Sequence, residues 1–411
     1  MTGDRGGRAG LTRRALLGVP IMLGIALVGC AAEPEADPEP SATPRPSPSP
    51  EPAVTPDPEP VLLLASLARA AEIAVIDPAL PDEAAVVQTI HVGAAPWGVG
   101  VHAASGTAYA ATAEGLAVVD LAAGSRTALV PYDRPAPRIS SGEYRPGGLG
   151  LAVSPDGSRV YVAVTTGDGA DTLEIYDAVP GGADGAGGAG GAGGAGSGAT
   201  AVFVGSVPVG ARPFDVLVAP DGSWAATVDH DGFTISVVDA VSLEVVPHTV
   251  APFGTEGGLA SWEKPHYGAV DADGTILLPY QGLVVARLDP RTGAVTTVPS
   301  AANSHAHGTA LAGRELLTVG TGAFGTATGE PNLSILNLDT GAERVVPLAP
   351  PHETVAVWRD AGGDAYAAVA GGNTRDAGWD GLTIVSLADL SVRALPVAGY
   401  PQVVVPVVPA A

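Results

Sequence analysis

The sequence predicts an all-β chain folded as a seven-bladed β-propeller of four-stranded antiparallel blades. Three observations carry this. Short runs with apolar residues at alternate positions are broken by Asp-Gly and Pro-Asp-Gly turns, the pattern of consecutive hairpins. The turns leave no room for a crossover helix, so neighbouring strands run antiparallel. The unit also recurs at roughly 40–50 residues, and a repeat of that length made only of strands points to a propeller.

The clearest copy is Pro213–Val246. Strands are predicted at Phe214–Ala219, Ala225–Val228, Phe233–Asp239 and, running just past it, Leu243–Val250, with turns at Pro220-Asp221-Gly222 and Asp231-Gly232. Related stretches begin at Pro96, Pro146 and Pro265, and looser ones at His307 and His352. A single blade cannot bury both of its faces, so each stacks on the next and the ring must close.

Residues 1–30 read as an export segment and not as part of the fold. Arg5, Arg8, Arg13 and Arg14 precede the apolar run Ala15–Val28, and Leu27-Val28-Gly29-Cys30 resembles a bacterial lipobox with Cys30 as the lipidated residue. Thr12-Arg13-Arg14-Ala15-Leu16-Leu17 fits two readings, a twin-arginine signal and an ordinary basic region. Cys30 is the only cysteine, so the mature chain has no disulfide and no thiolate nucleophile. No later apolar run is long enough to span a bilayer, which leaves the lipid on Cys30 as the expected anchor to the outer face of the membrane.

Residues 31–60 carry 11 prolines among Glu, Asp, Ser and Thr, a composition that builds an extended spacer and no core. The propeller is then expected over 61–411. Blade 1 is shared by the two ends: Pro401–Val405 supplies the innermost strand, and Val61–Ser66, Glu72–Asp77 and Val86–Val92 supply the rest. That pairing would close the ring and remove the exposed strand edges; the competing arrangements are an open ring and an eight-bladed one. Blades 2 to 7 fall at about 96–130, 146–208, 213–250, 265–299, 305–348 and 352–397. The almost pure Gly and Ala tract at 180–200 is read as a flexible loop between the third and fourth strands of blade 3, because glycine loses too much entropy when fixed in a strand.

Composition narrows the function classes. The chain has 411 residues, 46% of them hydrophobic but only 5% aromatic, so a large core is expected to pack on Val, Ala and Leu. The net charge of −23 argues against nucleic acid and against an anionic membrane surface as partners. No Gly-x-Ser-x-Gly elbow, P-loop or His-Glu-x-x-His segment is present.

With the repeat in hand, Ser154-Pro155-Asp156-Gly157-Ser158-Arg159-Val160-Tyr161-Val162 resembles the YVTN-type repeat propellers nearly throughout, and Ala219-Pro220-Asp221-Gly222 matches their turn. The resemblance implies the fold over about 61–408. It does not imply one activity, because the fold hosts many.

The start of each inner strand rings the channel on one face. The residues there are Trp97, Gly147, Phe214, His266, His307, His352 and Gln402. His305 precedes His307, Glu353 follows His352, and Asp229-His230-Asp231 lies in a turn on the same face. Five of the eight histidines therefore map to this mouth; His102 lies at the far end of an inner strand, and His91 and His248 lie in outer strands. Imidazoles from separate strands with carboxylates nearby suit zinc. His266, His307 and His352 are the candidate ligands, with His305, His230 or Glu353 completing the set or orienting it. The alternative is that these histidines satisfy backbone groups at a channel mouth.

Ser304-His305-Ala306-His307-Gly308 and Pro265-His266-Tyr267-Gly268-Ala269 also resemble the His-Gly elements of propeller-type zinc metallochaperones. That resemblance implies export and transfer of zinc to the solute-binding protein of a metal transporter. This chain lacks a mature-domain cysteine and a His-rich tail, which sets it apart from that group. Two other classes remain. A cell-surface scaffold for protein or glycan would use Trp97, Phe214, Trp262, Tyr267 and Tyr280 as anchors, unless Trp97 and Phe214 plug the channel. A lactonase-like hydrolase would hold a metal on Asp229, Asp231, Asp215 and Glu353, although Asp215 is expected to point into its blade.

Overall fold

The computed structural model describes residues 61–408 apart from 143, 182–197, 251–263, 281–282, 302–307, 323–328 and 372–379. Among the described residues, 28 strands form seven four-stranded antiparallel sheets, one per blade. The inner strands of blades 2 to 7 are Val99–His102, Gly147–Val153, Pro213–Val218, Ala269–Val270, Thr309–Ala312 and Thr354–Arg359. Each runs outward through three hairpins, as the turn spacing requires.

Blade 1 closes the ring in the predicted way. Its inner strand is Pro401–Val407, followed outward by Leu62–Leu67, Glu72–Ile76 and Val86–His91. Leu63 pairs with Pro406, Leu64 with Val405 and Ala65 with Val404, while the Ser66 hydroxyl accepts the Val403 N–H at 3.1 Å. Val61 lies just before the first strand, which begins at Leu62.

The Pro-Asp-Gly turns show why that tripeptide recurs. Gly157 and Gly222 sit at φ +68° and +72°, where a side chain is strained, and each N–H bonds back three residues. Asp156 accepts hydrogen bonds from the Ser154 hydroxyl and the Ser158 N–H, which hold its carboxyl down at about 2.

The turn after Asp229 departs from expectation. The third strand of blade 4 starts at Thr234, and Phe233, not Gly232, takes the left-handed conformation at φ +53°. Gly232 serves close approach instead: its N–H donates to Ala211 O at 3.1 Å, and a Cβ there would press on the Ala211 nitrogen. The fourth strand is Val245–Thr249, because Leu243 is also left-handed.

Blades pack through apolar clusters, one for each neighbouring pair, including the pair formed by blades 7 and 1. Alanine, valine and leucine dominate them, in keeping with the low aromatic content. The Gly and Ala tract falls mostly at 182–197, outside the described residues; the strands flanking it pair directly, Val179 with Thr200, so the insertion lies in the 3–4 hairpin of blade 3. Residues 1–60 are also outside the described set.

Candidate functional site

The described positions at the starts of the inner strands are buried. Trp97, Phe214, His266, His352 and Gln402 are all at most 1% exposed. Trp97 and Phe214 join Leu149, Tyr400 and Ala68 in an apolar cluster on the axis, so these aromatics plug the channel. Tyr267 and Tyr280 are buried as well, and Trp262 lies outside the described residues.

The inner strands can come this close because glycine stands where a side chain would collide. Gly98 N donates to Leu149 O at 2.9 Å, and a Cβ on Gly98 would overlap that oxygen. Gly308 lies in the same way against Glu353 O.

Above the plug the structure brings two of the candidate histidines together. His230 and His266 are both buried, and their ring centroids are 4.9 Å apart. Phe214 packs on both, at 5.0 and 4.4 Å, and Tyr267 stacks on His266 at 4.8 Å. The Nδ1 atom of His230 is 2.9 Å from Asp231 Oδ1. A carboxylate partner fixes this nitrogen as the proton donor and turns Nε2 into the lone-pair side of the ring.

Asp231 is held as a carboxylate, well below the usual range, first by His230 and then by Lys264 and Arg212, whose nitrogens each lie at 2.7 Å. Arg212 also covers the Tyr144 ring, which meets Phe214 and His230 edge-on. Tyr144, Arg212 and Lys264 were not singled out from the sequence. One signal was available: Lys264 is the only lysine in the chain and stands two residues before His266.

His352 has a different setting. Its Nδ1 faces the Gly371 carbonyl at 3.2 Å and its Nε2 faces the Thr383 hydroxyl at 2.8 Å. A carbonyl only accepts, so Nδ1 carries the proton and Nε2 accepts from Thr383. Burial pushes the imidazole down to about 4, which keeps it neutral at ordinary pH. Glu353 accepts from Gln402 Nε2 at 2.9 Å. His305 and His307 lie outside the described residues.

The carboxylates expected of a hydrolase are engaged elsewhere. Asp229 is fully buried and accepts from the hydroxyls of Thr227, Ser236 and Thr234, with burial raising it to about 6. Asp215 does not point into its blade. It lines a central cavity of about 240 Å³ below the plug, where burial raises it to about 7.

Among the described residues no group of three or more His, Cys, Asp or Glu side chains is arranged to hold a metal ion. The His230–His266 pair supplies two nitrogens, and two imidazoles on one tetrahedral zinc, each about 2.1 Å from the metal, have centroids roughly 5 Å apart. The observed separation of 4.9 Å fits that spacing.

No protein family and no curated protein matches this chain. Among solved structures, hydrazine synthase from Kuenenia stuttgartiensis superposes with a TM-score of 0.55 at 15% identity, over 82% of this chain and 97% of that one. A likeness at so low an identity concerns the fold alone. The chain is a seven-bladed β-propeller.

Proposed function

We propose that this propeller binds a divalent metal ion, zinc first, at the mouth of its channel through His230 and His266, with His307 as the third ligand. The observation that carries the reading is the buried imidazole pair at zinc-like spacing, with Asp231 on the far nitrogen of His230. Asp231 orients the ring and supports its basicity, and Arg212 and Lys264 keep Asp231 charged. His305 is the candidate fourth donor. His352 is assigned a structural part, since its lone pair goes to Thr383. Asp229 and Asp231, the carboxylates a hydrolase would need, are engaged by hydroxyls and by cations respectively.

The proposal extends to location and partner. Cys30 carries the lipid, residues 31–60 hold the propeller away from the membrane, and the bound zinc passes to the solute-binding protein of a metal transporter. Changing Cys30→Ala should move the protein from the membrane fraction to the soluble fraction.

Zinc titration of the full chain by calorimetry tests the binding reading. Saturable binding at micromolar protein and metal is expected at pH 7.5, weakening below about pH 6 as the imidazoles protonate. His266→Ala and His307→Ala should each lose most of it, and Asp231→Asn should weaken it about 10- to 100-fold. No saturable heat in the wild type removes the reading.

A further inference from the structure

Beneath the plug the inner strands enclose a well of about 240 Å³. Trp97, Phe214, Val99, Leu217, Val355 and Val405 are among the side chains that line it. Four glycines from four blades, Gly98, Gly150, Gly268 and Gly308, also line it, so much of the wall is bare backbone. Among the described residues that line it, Asp215 is the only carboxyl.

The setting of that carboxyl is unusual within this molecule. Its Oδ1 accepts from Val216 N at 2.9 Å and its Oδ2 from Gly268 N at 3.1 Å. A carboxylate offers about four lone-pair sites, so each oxygen keeps capacity for another donor. Asp231, by contrast, has Arg212, Lys264 and His230 around it, and Asp271 has Arg314 at 2.6 Å. Asp215 has no cationic side chain beside it among the described residues, and only backbone hydrogen bonds offset the cost of burying it. A largely apolar well with one carboxyl that has no cationic partner among the described residues is complementary to an organic cation: the carboxylate pairs the charge and the apolar wall takes the carbon chain.

We propose that the central well is a binding site for a small primary alkylammonium compound, held by its ammonium group on Asp215 with its carbon chain against Trp97 and Phe214. This site is separate from the proposed metal centre. An inorganic monovalent ion would leave the apolar wall and most of the volume without use, which favours the organic cation.

The test is titration of the full chain with n-butylammonium at pH 8.5, in chelator so that metal plays no part, with butan-1-ol and potassium chloride as controls. Saturable binding of butylammonium is expected, with none for butanol. Asp215→Asn keeps an acceptor for the Gly268 N–H but removes the charge, and binding should weaken at least tenfold. Val403→Phe, which narrows the well and leaves the carboxyl in place, should weaken it as well. Absence of saturable binding in the wild type overturns the proposal. So does binding that survives both substitutions, or displacement of butylammonium by an equal concentration of potassium.

Discussion

His352 is fully buried and Asp215 lines the central cavity, and their effects on stability run in opposite directions with pH. The His352 imidazole is pushed down to about 4 by burial, against 6.5 when exposed. Between those values the unfolded chain binds the proton that the folded chain refuses, so stability is lost as pH falls from about 6.5 to 4. The loss attributable to His352 approaches about 3 kcal/mol. Asp215 is raised to about 7 by burial, against 3.8. Here the folded chain keeps a proton that the unfolded chain gives up, so its contribution is present below pH 4 and is lost as pH rises to about 7, a few kcal/mol in all. Relative to the wild type, denaturant unfolding across pH 4 to 7 should show stability falling more steeply with rising pH for His352→Gln, which leaves Asp215 unopposed, and rising more steeply for Asp215→Asn, which leaves His352 unopposed. Parallel profiles for wild type and variants would contradict both assignments. The sequence placed His352 at the mouth, but it gave no sign that Thr383 and Gly371 would occupy its two nitrogens, since those partners come from other strands of the blade.

Strands and turns were the most readable part of the chain. Alternation of apolar residues and the Pro-Asp-Gly tripeptide report local backbone preference, and the blades follow from them with boundaries shifted by a residue or two. The exception at Gly232 has a physical cause. The glycine is needed against Ala211, so the left-handed residue moved to Phe233, a choice made by contact with another segment. The glycines of the inner strands carry a similar message. Gly98 permits an interblade hydrogen bond to Leu149, a contact between segments that local sequence does not report. Gly98→Ala should therefore destabilise the protein by about 1–3 kcal/mol through overpacking, measured by urea unfolding. A change near zero would mean that the inner strands yield without cost. Cores between blades should respond as ordinary close-packed interiors: Leu64→Ala, fully buried between blades 1 and 2, should cost about 2–5 kcal/mol.

At the scale of the molecule, the two chain ends share one blade. Removing Pro401 to Ala411 takes away the partner of Leu62–Leu67 and exposes an inner-strand edge. The truncated chain should lose its single cooperative calorimetric transition and aggregate on heating; a melting profile unchanged from the full chain would contradict closure by strand pairing. Closure was readable from the sequence because the first folded segment looks like a second strand and the last like a first. The site was readable only in part. Sequence order and ring geometry brought His230 and His266 to one opening, but the plug of Trp97, Leu149, Phe214 and Tyr400 and the open setting of Asp215 depend on side-chain directions that alternation alone does not give. The pairing of the two imidazoles is the centre of the functional account. X-ray absorption at the zinc edge of the metal-loaded protein tests it most directly. The account predicts imidazole nitrogens at about 2.0–2.1 Å with no sulfur, and loss of that signal in His230→Ala and His266→Ala. An oxygen-only shell, or a nitrogen shell unchanged in both variants, would contradict it.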